Sequence, residues 1–123
     1  MAANRIPQIE SILREMELTT QLVEASAVIS LEGLPICSAM PIGVDDGILA
    51  AMAATMLSVA ERAVIELARG KFNRVLVEGG NGYLIISSAG KEALLAVLTK
   101  SKANLGMVFL AMDKAAERIS KLI

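Results

Sequence analysis

Fourteen consecutive residues, Gly47 to Ala60, carry no charge, and they open a helical stretch that is apolar on too many sides. At 100° per residue from Ile48, one arc of ~200° gathers Ile48, Val59, Met52, Ala63, Met56, Leu49, Leu67, Ala60, Ala53, Val64, Leu57 and Ala50. A surface helix needs a stripe only about half that wide. Thr55, Ser58, Glu61, Arg62 and Arg69 fill the remaining sector, so the helix also meets water. One part of the arc covers the chain's own core. The surplus needs another cover, most simply a second copy of the chain or a partner. An alanine-rich helix sunk deep in its own domain is the alternative, but a chain of 123 residues has little interior to spare. Leu57 and Val64 lie at one margin of the arc and Ile48 and Val59 at the other; the periodicity leaves open which margin faces outward.

The length fits one domain, 1–123, with a self-sufficient core. Hydrophobic residues make up 54% of the chain and aromatics only 2%, so that core is aliphatic. Twelve basic residues face 13 acidic ones with no long block of either sign, which makes nucleic acid or an anionic membrane surface a poor main ligand. A single cysteine, Cys37, forbids an intrachain disulfide and fits a reducing compartment. Arg5, Pro7 and Glu10 interrupt the first apolar positions, unlike a signal peptide. The uncharged segment at 47–60 is shorter than the ~20 residues of a bilayer span. A soluble, cytoplasmic protein is expected.

Ile6, Ile9, Ile12, Leu13 and Met16 recur at helical spacing and predict a helix over ~5–17, with Pro7 in its tolerant first turn and Glu10 and Arg14 paired i,i+4. Val23 to Leu31 reads as a strand, Glu32-Gly33-Leu34-Pro35 as a turn, and Ile36 to Met40 as a short returning strand. Pro35 and Pro41 bracket that strand, which suits a sheet edge. Asp45 or Asp46 caps the long helix, expected over ~45–69 with Gly70 as its C′ residue. Phe72 to Glu78, Tyr83 to Ser88 and Ala93 to Thr99 form three more strands, with Asn81-Gly82 marking a hairpin between the first two. Helix propensity competes at Ala93 to Thr99, but the flanking turns favour a meander. Leu105, Val108, Phe109, Met112, Ala115, Ala116, Ile119 and Leu122 line one side of a last helix capped by Asn104. Gly106 in its first turn suggests a close approach by another segment. The economical arrangement is α+β: one five-stranded antiparallel sheet flanked by three helices, in the order α-β-β-α-β-β-β-α.

With no histidine and one cysteine, zinc sites and histidine-based acid–base or triad chemistry are excluded within this chain, so no metal, cofactor or catalytic residue is assigned. No glycine loop leads into Gly-Lys-Ser/Thr, so there is no P-loop. Gly79-Gly80-Asn81-Gly82 joins two strands rather than opening a helix, and reads as a hairpin before a phosphate cradle. Helix capping accounts for Asp45 and Asp46 without a metal. Arg62, Arg69 and Arg74 have the chemistry of an arginine finger, but solvated charge is the preferred explanation for them. Cys37 reads as a small buried hydrophobe. Met40, Met52, Met56, Met107 and Met112 are core filler or an adaptable partner surface.

Glu32-Gly33-Leu34-Pro35-Ile36, the Ala/Met/Leu-rich central helix, Val75-Leu76-Val77-Glu78 with its glycine turn, Ala103-Asn104-Leu105-Gly106 and Ala115-Ala116-Glu117-Arg118-Ile119 together resemble the roadblock family (roadblock and dynein light-chain 7 proteins), chiefly its prokaryotic members. The correspondence spans about residues 5–123. It implies a homodimer whose sheets join through the edge strand after the central helix, here ~72–78, with the two central helices packed together. That arrangement would account for the wide apolar arc and makes Leu57, Val59, Val64, Val75 and Val77 candidates for the contact. It also implies a non-enzymatic platform that scaffolds or regulates a Ras-like small GTPase, some members accelerating hydrolysis by positioning the GTPase's own groups. Thr55, Ser58, Arg62 and Arg69, on the polar sector, are the candidate partner face. A structural adaptor of a motor or membrane-associated complex and a small-molecule sensor are the alternative readings; the sensor would need a sizeable apolar cavity.

Overall fold

Strands whose successive residues are apolar on both faces need cover on both sides, and that requirement organises this chain. The computed structural model describes residues 2–41 and 43–123, with side chains from Arg5 onward. Its elements are α1 (Ala2–Thr19), β1 (Val23–Ser30), β2 (Pro35–Ala39), α2 (Asp46–Glu66), β3 (Val75–Gly79), β4 (Gly82–Ser88), β5 (Ala93–Thr99) and α3 (Leu105–Ser120). The strands form one antiparallel sheet in the order β2-β1-β5-β4-β3, the α+β arrangement expected from the sequence.

β5 lies at the centre and is buried on both faces, which is why its sequence reads so nearly like a helix. Leu95 and Val97 join Val28 of β1 and Ile85 of β4 beneath α1 and α3, where Ile9, Leu13, Val108, Met112 and Ile119 complete one apolar cluster. Leu94 and Ala96 point the other way, with Ala27, Ile29 and Ile86, and meet Leu49, Ala50, Ala53 and Leu57 of α2. Ser26, fully buried on the α1 side, donates to the Glu17 carboxylate at 2.5 Å. Burial pushes the Glu17 carboxyl above its usual range, and the Ser26 hydrogen bond partly offsets this.

Capping follows the sequence at two helix starts. Asp45 Oδ1 accepts from the Ile48 N–H at 3.1 Å, and Asn104 Oδ1 accepts from the Met107 N–H at 3.1 Å. Other boundaries moved. α1 starts at Ala2, so Pro7 lies inside the helix rather than in its first turn. The apolar repeat begins only at Ile6 and gave no sign of the earlier turn. β3 starts at Val75, not Phe72; its ladder begins at the Val75–Ile86 pair, although β4 runs on to Ser88. The hairpin loop is Gly80-Asn81, with Gly79 opposite Gly82 in the ladder. Gly106 meets no other segment; a Cβ there would touch only the capping Asn104 oxygen at 3.4 Å.

The end of α2 also departs from expectation. Its C-cap is Leu67 and its C′ residue is Ala68, at φ +56, not Gly70. The Arg69 N–H donates to Val64 (2.7 Å) and the Ala68 N–H to Ile65 (3.2 Å), the two bonds of a Schellman motif. An alanine held left-handed is strained where glycine is not. Replacing Ala68 by Gly should therefore raise stability, by up to about 1 kcal/mol after the entropy of the more flexible unfolded chain is subtracted. Gly82 is the opposite case. It has φ +149, and a Cβ there would lie 1.9 Å from the Thr99 carbonyl oxygen. Gly82→Ala should destabilise the fold by ~2–4 kcal/mol, from overpacking and backbone strain together. Urea unfolding monitored by circular dichroism measures both changes.

Candidate interaction surface

α2 is seated on the sheet through its small residues. Ala50 and Ala53 are fully buried, Ala54 is half-buried beside them, and Leu49 and Leu57 flank the seat. The β1–β2 turn also comes close: a Cβ on Gly33 would lie 3.5 Å from the Ala51 Cα and 3.6 Å from the Ala54 Cβ. This contact fixes the rotation of the helix. The Leu57 margin of the arc turns inward and the Ile48–Val59 margin turns outward, which the periodicity had left open.

The outward margin is bulky. Ile48 is 58% exposed, Met52 56% and Val59 64%, with Ala63 and Met56 half-buried behind them. Leu57, a sequence candidate for the contact between copies, is 4% exposed and belongs to the protomer's own core. Val59 is open, and Val64 is half-buried. Val75 and Val77 lie opposite Ile86 and Leu84 in the ladder, hence on the same face of the sheet as α2; Val75 is half-buried and Val77 exposed. Ile48 and Met52 were absent from the candidate contact set. Size gives a partial signal: Ile48, Val59 and Met52 are consecutive at one margin, whereas Ala50, Ala53 and Ala60 lie toward the other, interleaved with Leu57 and Val64.

The polar candidates divide. Thr55, Ser58 and Arg62 form a strip next to the exposed apolar margin. The Thr55 hydroxyl donates to the Ala51 carbonyl at 2.9 Å, and Arg62 pairs loosely with Glu66 at 3.7 Å. Arg69 lies beyond the helix end, where its Nε donates to the Leu67 carbonyl at 2.9 Å, so it does not share the polar strip of α2. Arg74 is held elsewhere: its guanidinium stacks 4.3 Å over the Phe109 ring and reaches Asp113 at 3.3 Å. Asp46 accepts a hydrogen bond from the Ser38 hydroxyl at 3.3 Å, tying α2 to β2, while Asp45 caps. Cys37 is buried, and burial raises its thiol pKa. Among the methionines, Met112 fills the core, whereas Met52 and Met107 stand at the surface.

Among the described residues, no three His, Cys, Asp or Glu side chains come together. One helix among them, Asp46–Glu66, is long and apolar enough by length and composition to cross a membrane. Its alanine seat holds it on the sheet, and Glu61, Arg62 and Glu66 interrupt its second half. Such charges are costly in a lipid core even when two of them pair.

The two edges of the sheet differ. β2 begins at Pro35 and is followed by Pro41, and proline cannot donate to a further strand. β3, Val75-Leu76-Val77-Glu78-Gly79, has no proline and no lysine, and exposes Leu76 and Val77. The unprotected edge strand and the outward margin of α2 together make the candidate surface.

Comparison with known proteins agrees with this architecture. The model of the Roadblock/LC7 domain matches residues 9–99. An uncharacterized protein of Methanocaldococcus jannaschii is 35% identical over 114 residues, covering 93% of this chain and 98% of the relative. A second from the same organism is 34% identical with the same coverage. Among solved structures, MglB of Myxococcus xanthus superposes with a TM-score of 0.84 at 20% identity over 94% of each chain. A Roadblock/LC7 domain from Streptomyces avermitilis gives 0.85 at 20% identity, covering 91% of this chain and 94% of that one. By its sequence match and its fold, the chain belongs to the Roadblock/LC7 domain family.

Proposed function

We propose that this chain is a cytoplasmic, non-enzymatic homodimer that presents a platform to a Ras-like small GTPase. The observation that carries the dimer is the bulky outward margin of α2 on the same side of the sheet as an unprotected edge strand. Pairing β3 with β3 of a second copy would satisfy its free backbone groups and bring the two α2 margins toward each other. Covering a large aliphatic side chain contributes ~1.5–3 kcal/mol, so Ile48, Met52 and Val59 alone offer a substantial driving force.

Light scattering at micromolar concentration should give about twice 13.0 kDa. Ile48→Asp and Val59→Asp should each yield a folded monomer, because both positions are open in the protomer but would bury an unpaired charge in the dimer, costing ~3–5 kcal/mol. Leu57→Asp should unfold the chain, since Leu57 is core. A folded dimer from both Ile48→Asp and Val59→Asp removes α2 from the contact.

Family membership supports the GTPase as partner. Thr55, Ser58 and Arg62, with Arg69 beyond the helix end, are the proposed contacts. Preference for the GTP form would arise if the partner's switch loops, ordered by the γ-phosphate, make contacts that are lost after hydrolysis. Calorimetry with GTP alone should show no binding, as the chain has no P-loop. A candidate GTPase should bind more tightly with a non-hydrolysable GTP analogue than with GDP; equal affinities would favour an adaptor. If hydrolysis is accelerated and Arg62→Ala with Arg69→Ala leaves that acceleration intact, the dimer acts by positioning the partner's own groups.

A further inference from the structure

The face of the sheet away from α2 carries a second open surface. α1 and α3 run antiparallel across it. Arg5 donates to the Leu122 carbonyl at 3.2 Å near one end, and Arg118 pairs with Glu15 at 3.0 Å further along. Toward the other end the helices part around a groove of about 700 Å³. Ile12, Met16 and Ala115 form its floor and are buried. Its lip is bulky and apolar: Met107 and Leu110 are more than half exposed, and Leu22 stands exposed beside them.

Leu22 holds an unusual backbone, with φ +70, a conformation that Gly or Asn adopts readily and Leu does not. The Lys100 N–H donates to its carbonyl at 2.9 Å and pins the turn between α1 and β1. Leu22 belongs to neither apolar cluster, and 38% of its surface is open, so core packing alone does not account for a leucine there. Strain retained at an exposed apolar residue motivates a functional reading. The charge around the groove is one-sided. Lys102, Lys114 and Arg118 line it against one acid, Glu15. Among the described residues, neither Lys102 nor Lys114 is in an ion pair.

We propose that this groove docks an acidic amphipathic helix of a partner protein. Its apolar stripe would rest on Leu22, Met107 and Leu110, and its carboxylates would face Lys102 and Lys114. A trough between two helices accepts a third along its length, with anchors recurring every three or four residues. A flat anionic bilayer would meet the lip without reaching the floor. The whole sheet separates this groove from α2, so its occupant is not the one proposed for the α2 platform.

Selection of short helix-biased peptides against the intact protein, followed by amide-shift mapping with the best synthetic peptide, tests the proposal. Selected peptides should carry two bulky apolar residues one turn apart among acidic ones, shift Leu22, Met107 and Leu110, and bind more weakly as salt rises. Leu22→Gly relieves the backbone strain and keeps the chain folded, yet should weaken peptide binding about tenfold, as should Leu110→Asp. Reversing Lys102 and Lys114 to Glu should do the same, with affinity restored by a peptide whose acids are changed to lysine. The proposal is overturned by full-strength binding to Leu22→Gly, by shifts confined to α2, or by peptides lacking the acidic amphipathic pattern. Phosphatidylglycerol vesicles captured through Lys102 and Lys114 with no peptide selected would assign the groove to a membrane instead.

Discussion

The alanine seat of α2 governs the rest of the structure. Ala50 and Ala53 bring the helix backbone close to the sheet, and Gly33 lets the β1–β2 turn approach Ala51 and Ala54. With alanines at the seat between Leu49 and Leu57, Ile48, Met52 and Val59 are left outward. Exchanging the two sides would let the helix cover itself, but Ile48, Met52 and Val59 could not fit where Ala50, Ala53 and Ala54 now pack without lifting the helix from β1 and β5. Close seating and an apolar outer surface are thus one constraint seen from two sides. Net stability of a domain is only ~5–15 kcal/mol, so three exposed aliphatic side chains are a sizeable share of what burial has to offer.

The sheet edges carry the same asymmetry. Prolines blunt β2, whereas β3 stays open. The lead-in to β3 is nevertheless anchored: Phe72 packs against the α2 cluster, and Arg74 reaches across to Phe109 and Asp113 on α3. An edge strand held at its start from both faces of the sheet is a better template for pairing than a frayed one, because less conformational entropy remains to be lost on association.

Much of this was legible in the sequence, and the misses have physical causes. β-Branched composition and turn chemistry located every strand, including β5, whose almost wholly apolar run is ambiguous by periodicity alone. Asp45 and Asn104 announced two helix starts because their side chains accept from backbone N–H groups locally. The end of α2 was missed because its left-handed residue is Ala68, and only glycine advertises that conformation; Gly70, two residues on, drew the assignment instead. Leu22 was invisible for the same reason. Helical angles gave the width of the apolar arc but not its rotation, since rotation depends on which side chains allow close approach to a sheet that is remote in sequence. Hence Leu57 entered the candidate surface while Ile48 and Met52 stayed outside it.

The two open surfaces lie on opposite sides of one sheet, and its packing bears on whether they communicate. Alternation along β5 sends Leu95 and Val97 to the α1–α3 cluster and Leu94 and Ala96 to the α2 cluster, and the clusters share no residue. Coupling between distant sites requires an element with two arrangements that both ligands bias. β5 is buried on both faces at the centre of the ladder, and close-packed interiors resist a second packing. Occupants of the α2 platform and of the α1–α3 groove would therefore share the scaffold without competing for it, so that one chain could hold two partners at fixed geometry through rigidity alone.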